Sequence, residues 1–362
     1  MAHYDPLVQV LRQEITAHGP VSVAQFMNLV LGHEDHGYYM RQDPFGQGGD
    51  FTTAPEISQI FGELVAGWLI DTWYKLGAPA KVVLLECGPG RGTLMVDILR
   101  VAQGVPDFIA AIQPTLLEIS PTLKARQQQT LSPYTQYCAA PQWIGSIEEL
   151  PSDMPLLVVA NEFLDALPVH HIVKRGDELR ERKIREDAER FVWEEGGCDV
   201  PVDQAALDSA KDGEVIEISP QRSAFINALT SKMDGQSAAL LIDYGYRDHA
   251  AGETLQALLR HKFCDVLDHI GEADLTAHVD FGAVMRAAQQ APDMHAYFET
   301  QGEFLNRLGG VHRAEMLVNA ARTPQQKKDI VTGYHRLTHD SQMGTLFKVC
   351  ALVRGEVPLA GF

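Results

Sequence analysis

The stretch Lys81-Val-Val-Leu-Leu-Glu-Cys-Gly-Pro-Gly-Arg-Gly-Thr93 constrains this chain more than any other. Its apolar run up to Glu86 predicts a short buried strand, Gly88–Gly92 a turn, and Thr93–Val101 a helix. Glycines at such a turn allow backbone angles closed to other residues and let a ligand approach the main chain. The helix that follows opens on unpaired N–H donors, which suit an anionic group. The spacing is Glu-x-Gly-x-Gly-x-Gly, with an acid two residues before the first glycine. A dinucleotide-binding turn usually reads Gly-x-Gly-x-x-Gly, so a nicotinamide dehydrogenase is disfavoured.

The rest of the chain extends this unit. Further strands are predicted at Thr115–Glu118, Leu156–Ala160, Ala239–Asp243 and Thr345–Val353, and Ser120-Pro121 starts a helix with Pro at its first position. Strands alternating with helices predict an α/β fold, a mostly parallel sheet covered on both faces. Residues 6–31 carry helical spacing, 32–56 read as loop, and Ile57–Leu69 repeats apolar residues as a strong helix. The mixed-charge stretch after Lys174 reads as a solvated hairpin or helix face. Residues 250–310 read as helix and loop. The domain expectation is a helical segment at 1–80 with a lid-like loop, then a core at 81–362 with insertions around 174–213 and 250–340.

Glu118 ends the second strand 26 residues beyond Gly92, near the roughly 20-residue spacing at which an acid accepts hydrogen bonds from ribose hydroxyls. Ile147 follows the third strand, where it is expected to pack on an adenine ring. Lys plus Arg number 30 against 48 Asp plus Glu, a formal net charge of -18. That field repels phosphate backbones, so nucleic-acid binding is not expected, while a cationic substrate or partner is suited. No apolar run is long enough to span a bilayer. Five scattered cysteines and no visible secretory or organelle presequence lead to the expectation of a cytoplasmic protein of bacterial type. His33 and His36 are a weak metal signal, His170-His171 read as structural and Cys87 as packing, so no metal is expected.

The Glu86–Gly92 turn resembles motif I of class I S-adenosylmethionine-dependent methyltransferases, in which the glycines lie beneath the amino-acid part of the cofactor. Four further strings extend the likeness: Gly49-Asp-Phe-Thr-Thr-Ala-Pro-Glu-Ile-Ser-Gln59, Asn161-Glu-Phe-Leu-Asp-Ala-Leu-Pro-Val169, Asp243-Tyr-Gly245 and Asp274-Leu-Thr-Ala-His-Val-Asp280. Together they resemble the MidA-like methyltransferases over nearly the whole chain. The resemblance implies a Rossmann-like class I methyltransferase fold with added helical segments and S-adenosyl-L-methionine as cofactor, held at Glu86, Gly88, Gly90, Gly92, Glu118 and Ile147. It also implies, for a mitochondrial relative needed for respiratory complex I assembly, methyl transfer to an arginine of a complex I subunit.

Arginine is a demanding acceptor, because its guanidinium is charged at physiological pH and has no free lone pair. Carboxylates grip it bidentately and draw its positive charge to one side. Loops at the carboxyl ends of parallel strands line the ligand crevice, so Asn161, Glu162 and Asp165 are the expected acceptor-binding residues. Asp50 and Glu56 flank a segment expected to act as a lid, and Asp243 and Tyr244 are further candidates for the crevice wall. Other readings stay open at this stage: transfer to a small molecule or another side chain, and an assembly factor that keeps its cofactor site for folding.

Overall fold

The computed structural model describes residues 6–41, 53–248 and 251–362. The chain forms two compact units that interleave along the sequence. One comprises Thr52–Phe163, Phe225–Gly245 and Val284–Phe362, the other Met1–Phe51, Leu164–Ala224 and Tyr246–Ala283.

The first unit is built on a sheet of β1 (Val82–Cys87), β2 (Ile112–Leu117), β3 (Gln142–Ile144), β4 (Leu156–Asn161), β5 (Ala238–Tyr246), β6 (Met294–Thr300) and β7 (Phe347–Arg354). They lie in the order β3-β2-β1-β4-β5-β7-β6. β1 to β5 are parallel, and β7 runs antiparallel to both β5 and β6. All six residues of β1 are buried, as expected of a central strand covered on both faces. The order reverses beside β1, with β2 on one flank and β4 on the other, and in open α/β sheets ligands bind at such a switch point.

Helix Gln59–Lys75 covers one face, starting at a Ser58 cap and burying Ile60, Phe61, Leu64, Val65, Trp68 and Leu69. It approaches helix Thr93–Ala102 closely at Gly62, where a Cβ would stand 2.5 Å from that of Asp97. Around this crossing Asp97, Arg100, Glu63 and Arg313 form a charge chain with contacts of 2.6, 3.0 and 2.7 Å. Burial alone would raise the Glu63 carboxyl, but the two arginines hold it below its ordinary value.

In the second unit, helices Pro6–His18 and Val23–Gly32 are separated by Gly19 in a left-handed conformation and by a short strand, Val21–Ser22. Ser22 and Gln25 form a reciprocal cap on the second helix. Val21–Ser22 pairs with Glu178–Asp187, which pairs in turn with His170–Arg175 and Arg190–Gly197. Leu7, Leu11, Phe26, Met27, Val30 and Ile184 pack together beneath this sheet.

Of the two readings of the mixed-charge stretch, the structure shows the hairpin, reversing through Ala188 (φ 47°) and Glu189 (φ 66°) as a two-residue turn of left-handed residues requires. One region departs from the sequence reading. Residues 250–310 hold a three-stranded sheet (Gln256–Leu259, Lys262–Cys264, Asp274–Thr276) and the edge strand β6. The small sheet escaped notice because strands of three or four residues are too short to show a period. β6 escaped because its sequence, Met-His-Ala-Tyr-Phe-Glu-Thr, has no continuous apolar run.

No helix among the described residues is long and apolar enough to cross a membrane. The Gly62–Asp97 contact leads to a direct expectation. Gly62→Ala should destabilise the first unit by about 1–3 kcal/mol through overpacking, read as a lower urea midpoint. An unchanged midpoint would show that the two helices separate without cost.

Candidate active site

The chain leaves β1 through Gly88 (φ 62°), Gly90 (φ 51°) and Gly92 (φ 81°), all in the left-handed region. Gly92 is the N-cap of helix Thr93–Ala102. At Gly88 a Cβ would also stand 2.9 Å from the ring of Phe163, so glycine there meets both a backbone and a space requirement.

Glu86, two residues earlier, is 3% exposed. Its carboxylate accepts the backbone N–H of Met95 in the first turn of that helix, while Oε2 has no hydrogen-bond partner among the described residues. Burial pushes its carboxyl up to about 8, Asp97 adding to the shift and the Met95 bond opposing it. An orphaned carboxylate oxygen beneath a glycine turn is chemically suited to a ligand cation. Cys87 beside it is fully buried, its thiol raised by burial and then by Glu86, consistent with packing.

Glu118, just past the end of β2, is 7% exposed. Oε1 accepts the backbone N–H of Ser120 at 2.8 Å and Oε2 the side-chain amide of Gln127 at 3.0 Å. Burial raises its carboxyl despite these bonds. With the backbone N–H of Ile119 as a third donor, the carboxylate retains a lone pair for a further one. Ile147 is buried in a short turn of 3-10 helix capped by Ser146 and Glu149. Gln127 and its indole partner Trp143 were missed by sequence reasoning. The available signal was a polar residue in an apolar stripe, Gln127 standing between Leu123 and Leu131, the other two buried positions of helix Pro121–Leu131.

At the carboxyl end of β4 the chain turns through Glu162, a non-glycine residue at φ 52°. Such a conformation costs about 1–3 kcal/mol and persists only where surroundings enforce it. Here the backbone N–H of Glu162 donates to Ile242 O at 2.9 Å. Its Oε1 accepts from Ala54 N at 3.1 Å and from Asn161 Nδ2 at 3.0 Å. Asn161 Oδ1 is buried and has no partner among the described residues. Phe163 then lies against Gly88 and against the Phe225 ring, 5.0 Å away. Asp243, fully buried within β5, accepts the N–H of Phe163 at 3.2 Å and so holds this turn. Tyr244 packs on Phe347 in the core.

The described part of the lid segment joins the same constellation. Helix Ala54–Ile57 carries Glu56, 3.9 Å from the Arg91 guanidinium in the glycine turn, and presents Ala54 N–H to Glu162. Asp50 lies outside the described residues. The structure therefore brings together Glu86, Gly88, Gly90, Gly92, Glu118, Asn161, Glu162 and Glu56 in one unit. Asp165 belongs to the other unit, buried in a turn of 3-10 helix. There Arg222 holds the backbone carbonyls of Leu164, His278 and Ala277 at 2.8, 2.7 and 2.8 Å. Tyr39 donates to Asp274 in that unit, and burial, then Asp274 and Asp165, raise its phenol well above the ordinary value.

A family model described as "Putative S-adenosyl-L-methionine-dependent methyltransferase" matches residues 64–300. The chain is 35% identical to the Drosophila melanogaster protein arginine methyltransferase NDUFAF7 homolog, mitochondrial, covering 98% of this chain and 88% of the relative. It is 32% identical to the human mitochondrial protein arginine methyltransferase NDUFAF7, covering 96% and 83%. Among solved structures, a Burkholderia thailandensis protein bound to S-adenosyl-homocysteine superposes with a TM-score of 0.85 at 28% identity, over 98% of this chain and 93% of that one. These findings overturn the expectation of a cytoplasmic protein, since the curated relatives are mitochondrial. That expectation rested on the scattered cysteines and the look of the first residues, and a sparse cysteine count marks a reducing environment rather than one compartment.

Glu86 provides a pH test of the site. Its folded carboxyl titrates near 8, above the ordinary 4.5, so between these values the folded state holds a proton that the unfolded chain has lost. The stability contributed is complete below about pH 4.5 and is lost as pH rises towards 8. Thermal midpoints should therefore fall from pH 5 to pH 8 more steeply in the wild type than in Glu86→Gln. Parallel curves would show that the carboxyl titrates normally.

Proposed function

The chain belongs to the S-adenosyl-L-methionine-dependent methyltransferases, and from that premise we propose that it methylates an arginine side chain of a protein. The observation that carries the reading is Glu162, a carboxylate on a left-handed backbone at the carboxyl end of β4, one residue from the aromatic ring that covers the glycine turn. Its relatives' names as protein arginine methyltransferases support the acceptor class. A respiratory complex I subunit is the target that the resemblance implies.

The residues present fit the cofactor. Glu86 Oε2 offers a buried, unsatisfied acceptor to the ammonium of its amino-acid part, and Glu118 offers acceptors to the ribose hydroxyls. Ile147 adds an apolar wall. When bound, the cofactor supplies an electrophilic methyl on a sulfonium centre. The protein's own tasks are then to orient the acceptor nitrogen and to exclude water.

Glu162 performs the first task in this reading. Ala54 N–H and Asn161 Nδ2 fix Oε1, so the carboxylate is held before an acceptor arrives. Gripping one side of a guanidinium concentrates its positive charge there and leaves the opposite nitrogen more nucleophilic. The oxygens of Glu162 are also placed to receive the proton that a methylated guanidinium sheds. Asn161 Oδ1 offers a second acceptor for guanidinium N–H groups. Glu56, with Arg91, closes the segment over the turn.

Labelled-methyl transfer into a lysate followed by peptide mapping identifies the acceptor, and label on arginine is expected. Label confined to another residue type or to small molecules overturns the arginine reading. Against the mapped acceptor, Glu162→Gln should leave affinity for S-adenosyl-homocysteine within about threefold, or about 0.7 kcal/mol. Transfer should fall at least about a hundredfold, about 2.7 kcal/mol of transition-state stabilisation. Undiminished transfer with intact binding would remove Glu162 from the acceptor site. Glu118→Ala should instead weaken S-adenosyl-homocysteine binding by about 10- to 100-fold, through loss of charge-assisted bonds of about 1.5–3 kcal/mol.

A further inference from the structure

We propose that Gln127 is a positioning residue that sets the distance between the two ends of the cofactor site, tying the glycine turn to the ribose-binding acid through one buried amide. The inference rests on the reading of Glu118 as the ribose acid.

Gln127 is fully buried and makes three hydrogen bonds. Nε2 donates to Gly90 O at 2.8 Å and to Glu118 Oε2 at 3.0 Å, while Oε1 accepts from Trp143 Nε1 at 2.8 Å. The orientation of the amide is therefore unambiguous. An indole N–H only donates and must face the oxygen, whereas a carbonyl and a carboxylate accept and must face the nitrogen. Flipping the amide would break all three bonds at once. Both amide hydrogens and the oxygen are used, as a buried polar group requires.

The elements so joined are not neighbours in sequence. Gly90 is 37 residues from Gln127 and Trp143 is 16 residues on, within β3. The stem of Gln127 also lies against the turn, its Cγ 3.7 Å from where a Cβ of Gly92 would stand. Gly90 takes a left-handed conformation, and its carbonyl is one of the turn's fixed points. Glu118 reaches Gln127 with one oxygen and the Ser120 N–H with the other, so its carboxylate plane is fixed at two points.

A cofactor that bridges the glycine turn and the ribose acid gains from having both ends placed in advance. Its second end then binds at the high effective concentration set by the first. Removing Gln127 loosens the spacing, so the loss falls most heavily on ligands that span both ends. Adenosine, which carries the ribose but no amino-acid part, loses only what depends on the orientation of Glu118. This contrast separates positioning from a general loss of structure, which would weaken both ligands alike.

Calorimetric titration of S-adenosyl-homocysteine into the full chain, with adenosine measured by competition, tests the proposal. Gln127→Met keeps the side-chain length and removes all three bonds. It should raise the dissociation constant for S-adenosyl-homocysteine at least about tenfold, about 1.4 kcal/mol, and that for adenosine by no more than about threefold. Trp143→Phe leaves Gln127 in place and removes only the donor that orients it, so a smaller rise of about three- to fivefold is expected. The double variant should bind no worse than Gln127→Met alone, because the two act through the same amide.

A folded Gln127→Met with an S-adenosyl-homocysteine constant within about twofold of wild type overturns the proposal, as does an equal loss for the two ligands. Where Gln127→Met does not fold, Trp143→Phe decides, and unchanged binding overturns the proposal. Glu118→Ala, measured alongside, tests the ribose reading separately. Unaltered adenosine binding there sinks that reading, while a weakened Glu118→Ala beside an unaffected Gln127→Met sinks only the spacing role.

Discussion

Between Cys87 and Thr93 the chain reverses from a buried strand into a helix, and it does so through three left-handed glycines. That reversal sets the terms for everything around it. A side chain at Gly88 would collide with Phe163, while at Gly92 the left-handed backbone, with φ 81°, is what favours glycine. The turn is therefore an opening kept clear of Cβ atoms, with residues from β4 and from helix Pro121–Leu131 brought up against it. Because backbone lines the opening, its donors and acceptors are fixed by the fold rather than by rotamers. Such preorganisation spares a ligand the cost of ordering its site.

The two acids beside this opening sit in contrasting states although both are almost wholly buried. Glu118 is surrounded by donors, from Ser120 N–H to the Gln127 amide. Glu86 has one backbone donor and one oxygen with none among the described residues. A buried carboxylate without full compensation is held protonated by the cost of desolvating its charge. A ligand ammonium reverses that balance by supplying the missing opposite charge. The acid surrounded by donors is suited to accepting from neutral hydroxyls, whereas the one with an unsatisfied oxygen is suited to a cation. One strand end and its neighbour thus set a donor-rich acid beside a donor-poor one.

Much of this was legible in the sequence because its signals are local. The glycine turn, the acid before it and the acid after β2 each lie within a strand-turn segment, where spacing in sequence equals spacing in space. The strands β4, β5 and β7 were legible as apolar runs, since a strand covered on both faces has no polar alternation to confuse the reading. The role of Gln127 was not legible because its partners come from outside its helix, and its place in an apolar stripe marks burial without naming what it bonds. β6 was missed for the opposite reason, an edge strand without a continuous apolar run. The left-handed backbone of Glu162 could not be foreseen either, since nothing in Asn161-Glu-Phe-Leu-Asp165 demands a positive φ at its second residue. The interleaving of the two units is likewise a property of long-range pairing, such as Val21–Ser22 with Lys183–Ile184.

The strained turn at Glu162 and the close contact at Gly88 are two consequences of one arrangement. For Phe163 to cover the glycine turn, the chain leaving β4 must bend within a residue, and Glu162 absorbs that bend. Three bonds compensate: Glu162 N–H to Ile242 O, Ala54 N–H to the Glu162 carboxylate, and Phe163 N–H to Asp243. Two of them come from β5 and one from the segment ahead of helix Gln59–Lys75. A glycine would relieve the backbone at Glu162 but would leave the Ala54 N–H and the Asn161 amide without their shared acceptor. The strain is thus tied to the carboxylate itself: the bend is tolerated because the side chain it carries is bonded in place. An acid held this way cannot swing aside when a cationic group approaches, which is the property that gripping one face of a guanidinium demands.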